Sequence, residues 1–234
     1  MIDRRGLLRT AAAVYLALTA LACGLAWLAS IELGPLLAVD LKGLAIGVAA
    51  VVPMSAVFFI APDLKDRVVD LLGPALAECR LWELMLLAGM AGVSEEILFR
   101  GTIEGWLLTY DVVLAAVVTN LLFGAMHPIT VAYFIIATGF GFYFSVLANL
   151  GPERNLTAPI VAHTVYDLVG FMLVARDYRK ETAIPWTGPR EPAATINHAD
   201  QPEQDEPTAE TDAAAATDPQ APQDGDSSLH RAGG

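Results

Sequence analysis

The sequence predicts an all-α fold: a polytopic membrane helix bundle of about six transmembrane helices, with an interfacial amphipathic helix and a disordered C-terminal tail. Three observations carry this. Apolar runs such as residues 7–30, uncharged after Arg9, reach the roughly 20 residues that cross a bilayer. Leu64, Val68, Leu71, Leu72 and Leu76 recur at helical spacing beside Asp63, Lys65, Asp66, Arg67 and Asp70, the pattern of a helix lying in the interface. After about Arg179 the composition turns to Ala, Pro, Gln, Thr, Asp and Glu, too polar to offset the entropy of ordering.

Taken in order, the spans fall at residues 7–30, 41–61, 82–108, 111–127, 130–149 and 156–175, with the interfacial helix at 62–79. Arg4 and Arg5 ahead of the first run also fit a signal peptide, and Ala20-Leu21-Ala22-Cys23 resembles a lipoprotein cleavage site. The run continues to Ala29, longer than a signal core, and Ala20 stands where a leucine is usual, so a retained anchor is expected. Cys23 and Cys79 imply no disulfide framework. Trp27, Trp82, Trp106 and Tyr110 lie near span ends, where such rings prefer the headgroups. Gly89, Gly92, Gly139 and Gly141 would let helices approach closely. The chain thus divides into an N-terminal hairpin with the interfacial helix (1–79), a transmembrane core (80–177) and an acidic tail (178–234).

Most of the net charge of −12 sits in the stretch from Glu181 onward, where only Arg190 and Arg231 oppose many acids. The low pI therefore describes the tail and not the bundle. Arg4, Arg5, Arg9, Lys65, Arg67, Arg80, Arg176, Arg179 and Lys180 gather on one side, and Lys42 and Arg154 on the other. Basic residues mark the cytoplasmic face, so both termini are expected in the cytoplasm of a prokaryotic cell.

Three polar signatures interrupt the apolar spans: Glu95-Glu96-Ile97-Leu98-Phe99-Arg100, Phe123-Gly124-Ala125-Met126-His127 and His163-Thr164-Val165-Tyr166-Asp167. Ionisable groups at membrane depth are costly and mark function by default. Glu95 is mid-way along its span, and His163 and Asp167 fall roughly 10–18 Å into theirs, so one cavity can collect them. Residues four apart share a helix face: Glu96 and Arg100 should neutralise each other, leaving Glu95 about 100° away without a partner. A lone carboxylate in an apolar pocket suits general-base work. Phe123 should wall the pocket beside His127, and Asp167 should orient His163. Thr119 and Asn120 read as interhelical hydrogen-bonding groups.

These signatures, in this order, resemble the CPBP intramembrane protease family, also called Abi, which includes type II CAAX prenyl endopeptidases and bacteriocin-processing or immunity proteins. Glu95, Glu96 and Arg100 match its EExxxR motif, Phe123 and His127 its FxxxH, and His163 and Asp167 its HxxxN/D, over about residues 80–175. The resemblance implies peptide-bond hydrolysis within the membrane, with Glu95 activating water, His127 helping to hold it, and His163 with Asp167 stabilising the oxyanion. Aspartate at 167 replaces the asparagine of eukaryotic relatives, and an ionised carboxylate cannot donate to an oxyanion. Glu95, His127, His163 and Asp167 could instead ligate a divalent metal such as zinc; metal-dependent and metal-free chemistry both stand open. The expected partners are a membrane-associated peptide or protein substrate and the lipid bilayer, and no nucleic acid. Two other classes compete: a proton- or cation-coupled transporter, for which midplane acids and histidines also serve, and a catalytically silent immunity or scaffold protein.

Overall fold

The computed structural model describes residues 3–182, and every regular element among them is helical. We label the principal helices α1 (Arg4–Leu28), α2 (Leu41–Met54), α3 (Pro62–Leu76), α4 (Leu81–Glu96), α5 (Val112–Ala125), α6 (Val131–Ala148) and α7 (Thr157–Glu181). α4 runs on without a break as a π-helix, Ile97–Glu104, and a last helical turn, Gly105–Leu107. The tail expected from residue 178 lies, from 183 onward, outside the described residues, and α7 itself continues to Glu181.

By length and composition α1, α6 and α7 can cross a membrane, and α2 and α5 are shorter apolar helices. Leu16, Val52, Leu86, Val113, Leu122 and Ile135 all stand exposed on the outer surface. An exterior this apolar suits lipid rather than water. The chain is an integral membrane protein.

Sequence explains where the helices stop. Asp3 caps α1 by accepting the Gly6 N–H at 2.8 Å. At its other end Ser30 adopts φ 55°, while the Ile31 N–H bonds the Ala26 carbonyl and the Ser30 N–H the Trp27 carbonyl. This is the left-handed cap in which glycine is usual. α2 ends at Met54, short of the 41–61 span expected. Pro53 removes a backbone donor, and Ser55 Oγ bonds back to the Val51 carbonyl at 2.9 Å; the chain then turns and makes only a short helical turn, Val57–Ile60.

The interfacial helix α3 is clamped as well as amphipathic. Val69 and Leu76 pack with Cys79, Leu84, Leu87, Val174 and Ala175. Leu71, expected in the apolar stripe, is exposed, and Val69 takes the buried place. Lys65 Nζ donates to Asp177 Oδ2 at 2.9 Å, which keeps the lysine charged to higher pH than usual. Arg179 donates to the Ala77 carbonyl. At the same edge Arg4 of α1 pairs with buried Glu83 of α4, its Nε at 2.9 Å, and Glu83 also accepts the Arg80 N–H.

The bundle packs most closely where side chains are absent. A Cβ at Gly92 would meet Thr164 Oγ1 at 2.3 Å, and one at Gly141 would meet Asn120 Oδ1 at 2.7 Å. Gly89 and Gly139, expected to act in the same way, face open space. Gly92→Ala should therefore lower the melting temperature in detergent, through overpacking worth about 1–3 kcal/mol. Gly89→Ala should leave it unchanged or raised, and equal effects at the two positions would contradict this packing.

Candidate active site

Arg100 sits in the π-helix and is fully buried. Its Nη1 donates to Glu96 Oε1 at 3.2 Å, and its Nη2 donates to Asn120 Oδ1 at 3.2 Å and to the Gly141 carbonyl at 2.8 Å. The guanidinium also lies 4.3 Å from the centre of the Phe123 ring and 5.3 Å from that of Phe144. Ion pairing, amide acceptors and aromatic faces together hold a charge that apolar surroundings alone would not.

Glu96, also fully buried, is shared. Its Oε1 accepts from His163 Nδ1 at 2.8 Å, so that nitrogen carries a proton. The other ring nitrogen, Nε2, lies 3.5 Å from Asp167 Oδ2, one helical turn on. His163 is thus flanked by a carboxylate on each side, and its ring stacks on Phe144 at 4.9 Å. The two i, i+4 pairs read from the sequence are both present.

His127 is placed differently from the expectation. α5 ends at Ala125, and His127 lies in the turn beyond it, ahead of Pro128, because a residue before proline avoids the helical region. It still returns to Phe123: Nδ1 bonds the Phe123 carbonyl at 2.8 Å, and the ring centroids are 4.8 Å apart. A carbonyl can only accept, so Nδ1 carries the proton and Nε2 turns its lone pair outward. Nε2 faces Glu95 Oε2 across 4.0 Å. That oxygen is buried without a hydrogen-bond partner among the described residues. The gap is too long for a direct bond and suits a bridging water.

Phe123 links the signatures, since its ring also lies 6.0 Å from that of His163. A cavity of about 150 Å³ runs between α3, α6 and α7. His127, His163, Asp167 and Phe123 line it, together with Tyr133, Phe140 and Tyr166 and with Leu64, Lys65 and Leu72 of α3. Glu95, Glu96 and Arg100 stand behind this lining, Glu95 reaching toward it through His127. The N-terminal part of the chain therefore supplies one wall.

Among the described residues no three His, Cys, Asp or Glu side chains group as a metal site. His127 Nδ1 and His163 Nδ1 are taken up by protein acceptors. The Nε2 atoms of the same rings stay open beside Glu95 and Asp167.

Sequence reasoning missed a second polar cluster. Glu104 pairs with Arg154 at 3.1 Å and accepts from Ser145 Oγ at 2.7 Å and Asn149 Nδ2 at 3.3 Å. The signal was the run Glu96, Arg100, Glu104 at four-residue spacing. Asn120 bonds helices as expected, donating to Ser145 Oγ, whereas Thr119 Oγ1 has no partner among the described residues.

Comparison with known proteins fits this geometry. Residues 77–169 match the family model described as Type II CAAX prenyl endopeptidase Rce1-like. The resemblance carried by the three signatures is thereby shown over the segment that begins just after α3 and ends past Asp167. No curated protein and no solved structure matches the chain. The family points to a protease, a hydrolase of peptide bonds, and in general to a CAAX-type enzyme of membranes.

Glu95 and Glu96 should separate on mutation although they are neighbours. Glu96→Gln leaves the Arg100 charge buried without its carboxylate and should cost about 3 kcal/mol. Glu95→Gln breaks no hydrogen bond and should stay within about 0.5 kcal/mol of the parent. Thermal unfolding of the purified protein in detergent measures both.

Proposed function

We propose that the protein is an intramembrane endopeptidase that hydrolyses a peptide bond of a membrane-associated substrate. The observation that supports this most is the 4.0 Å gap between Glu95 Oε2 and His127 Nε2. Among the described residues the carboxylate oxygen has no hydrogen-bond partner, and the imidazole tautomer is fixed by the Phe123 carbonyl. A water there would meet two acceptors, one of them a base.

In this reading Glu95 takes a proton from the water, whose oxygen attacks the scissile carbonyl carbon. His127 holds the second hydrogen of that water. As the tetrahedral intermediate forms, its oxyanion is met by His163 Nε2. The role requires the proton on Nε2, and Asp167 at 3.5 Å supports it there. Asp167 acts through the imidazole and not as a donor of its own. Glu95 then passes its proton to the departing amine, and the carbon–nitrogen bond breaks. Glu96 and Arg100 fix His163 in place. No metal takes part in these steps.

The substrate classes compatible with the cavity are a CAAX-type peptide, a leader peptide and a membrane-bound regulatory protein. The α3 side of the cavity lies with Arg4, Lys65, Arg80 and Arg179, so substrate would enter from the basic, cytoplasmic face. Both termini would share that side.

Purified protein in detergent, given a prenylated peptide ending in a CAAX sequence and, separately, an apolar leader peptide, should cleave at least one of them. Glu95→Gln and His127→Ala should lose about 10²- to 10⁴-fold in kcat while accumulating normally in the membrane. Full activity of Glu95→Gln would remove this mechanism.

A further inference from the structure

Behind the proposed catalytic groups lies a closed ring of hydrogen bonds that passes twice through one residue. Arg100 Nη2 donates to Asn120 Oδ1 at 3.2 Å, and Asn120 Nδ2 to Ser145 Oγ at 3.1 Å. Ser145 Oγ donates to Glu104 Oε2 at 2.7 Å, and Glu104 Oε1 pairs with Arg154 Nη2 at 3.1 Å. The same Arg154 nitrogen donates to the Arg100 carbonyl oxygen at 2.6 Å and closes the ring. Arg100 is gripped by its guanidinium and by its backbone.

We propose that Arg154 and Glu104 are positioning residues for catalysis: reaching in from the loop between α6 and α7, Arg154 locks the π-helix in the register that presents Arg100 to Glu96 and Glu96 to His163. This rests on the catalytic reading above. The π form is the rarer one and persists only where its surroundings impose it. Relaxation to an α register shifts the chain by one residue and turns Arg100 by about 100°. Arg100 would then turn away from Asn120 and the Gly141 carbonyl, which hold the guanidinium where it meets Glu96, and Glu96 holds His163 Nδ1.

The loop is built to deliver this contact. The Asn155 N–H bonds the Ala148 carbonyl at 3.1 Å, its side chain bonds the Ala38 carbonyl at 2.8 Å, and the Leu156 N–H bonds the Leu36 carbonyl at 2.9 Å. Gly105 leaves room for the guanidinium, since a Cβ there would stand 3.2 Å from Arg154 Nη1. Glu104 is buried. Because one nitrogen makes both Arg154 contacts, a lysine ammonium can replace it.

The test compares Arg154→Gln, Glu104→Gln and Arg154→Lys with Arg4→Gln, which breaks a buried ion pair at the opposite edge of α4. Nitrogen NMR of the histidine-labelled protein, with the His163 signal assigned by His163→Ala, reads the catalytic imidazole without any substrate. Arg154→Gln and Glu104→Gln should move the His163 Nδ1 signal, whereas Arg154→Lys and Arg4→Gln should not. With the prenylated CAAX peptide as probe, the first two should lose about 10- to 100-fold in kcat with KM within about twofold. Arg154→Lys should recover most of that loss. An unmoved His163 signal in both glutamine variants overturns the proposal, as does a kcat loss that only follows melting temperature as in Arg4→Gln. If Arg154→Gln does not fold, Gly105→Ala crowds Arg154 without removing it and must move the same signal. Absence of any cleavage by the parent protein would count against the protease reading, while the NMR comparison would still decide whether the pair positions His163.

Discussion

The arrangement depends on one buried charge. Arg100 has no contact with solvent, and a guanidinium in a lipid-embedded bundle is tolerated only where its charge is answered. Here that happens through its two Nη nitrogens, Nε having no partner among the described residues. Meeting the Nη donors recruits α4 through Glu96, α5 through Asn120, and α6 through the Gly141 carbonyl. Glycine at 141 is part of the same requirement, because a Cβ there would stand 3.2 Å from the Arg100 Nη2. The cation therefore sets the distances among α4, α5 and α6. Glu96, committed to Arg100, is then able to hold His163 on α7 at a fixed place.

Phe123 translates that polar anchor into an apolar wall. One face lies over the Arg100 guanidinium, and the ring also touches Phe99, His127 and His163. It closes the cavity off from the ion pairs behind it, so the cavity is mostly apolar, with His127, His163, Asp167, Lys65 and two tyrosines as its polar lining. A lining of that kind would suit the membrane-associated substrate proposed above while leaving few groups to compete for water.

The parts of the site carried by one helix were legible in the sequence, and the parts that join distant segments were not. Glu96 with Arg100 and His163 with Asp167 follow from four-residue spacing, and polar side chains inside apolar runs announce themselves by their cost. The contact of His163 with Glu96 crosses from α7 to α4, and nothing local encodes it. Arg154 looked like a loop charge marking the outer face, and Arg4 like a charge marking the inner one. Each proved to be half of an ion pair whose other half is a buried glutamate of the 81–107 helix. The π-helix has no compositional mark, although the continuous helix from Leu81 to Leu107 lies where the 82–108 span was expected. Two departures were visible in principle: Pro53 ends α2 early, and Pro128 puts His127 beyond the end of α5. Leu71 and Val69 lie on nearly opposite faces of α3, and the packing of Val174 and Ala175 selects the face that carries Val69 and Leu76.

The distribution of charge also separates the two ends of the polar network. At the outer end Glu104 is answered by Arg154 and by hydrogen bonds from Ser145 and Asn149, so that end is balanced and needs no proton traffic. At the cavity end, among the described residues, Glu95, Glu96 and Asp167 pair with Arg100 and the two imidazoles. Arg100 answers Glu96 alone. The surplus acid groups are thus Glu95 and Asp167, and each has a histidine nitrogen within 4.0 Å. Surplus carboxylates at membrane depth are unfavourable unless protons or water can reach them, and these two stand where the cavity and His127 give that access. A bundle that needed only stability would have placed its unmatched acids at the surface.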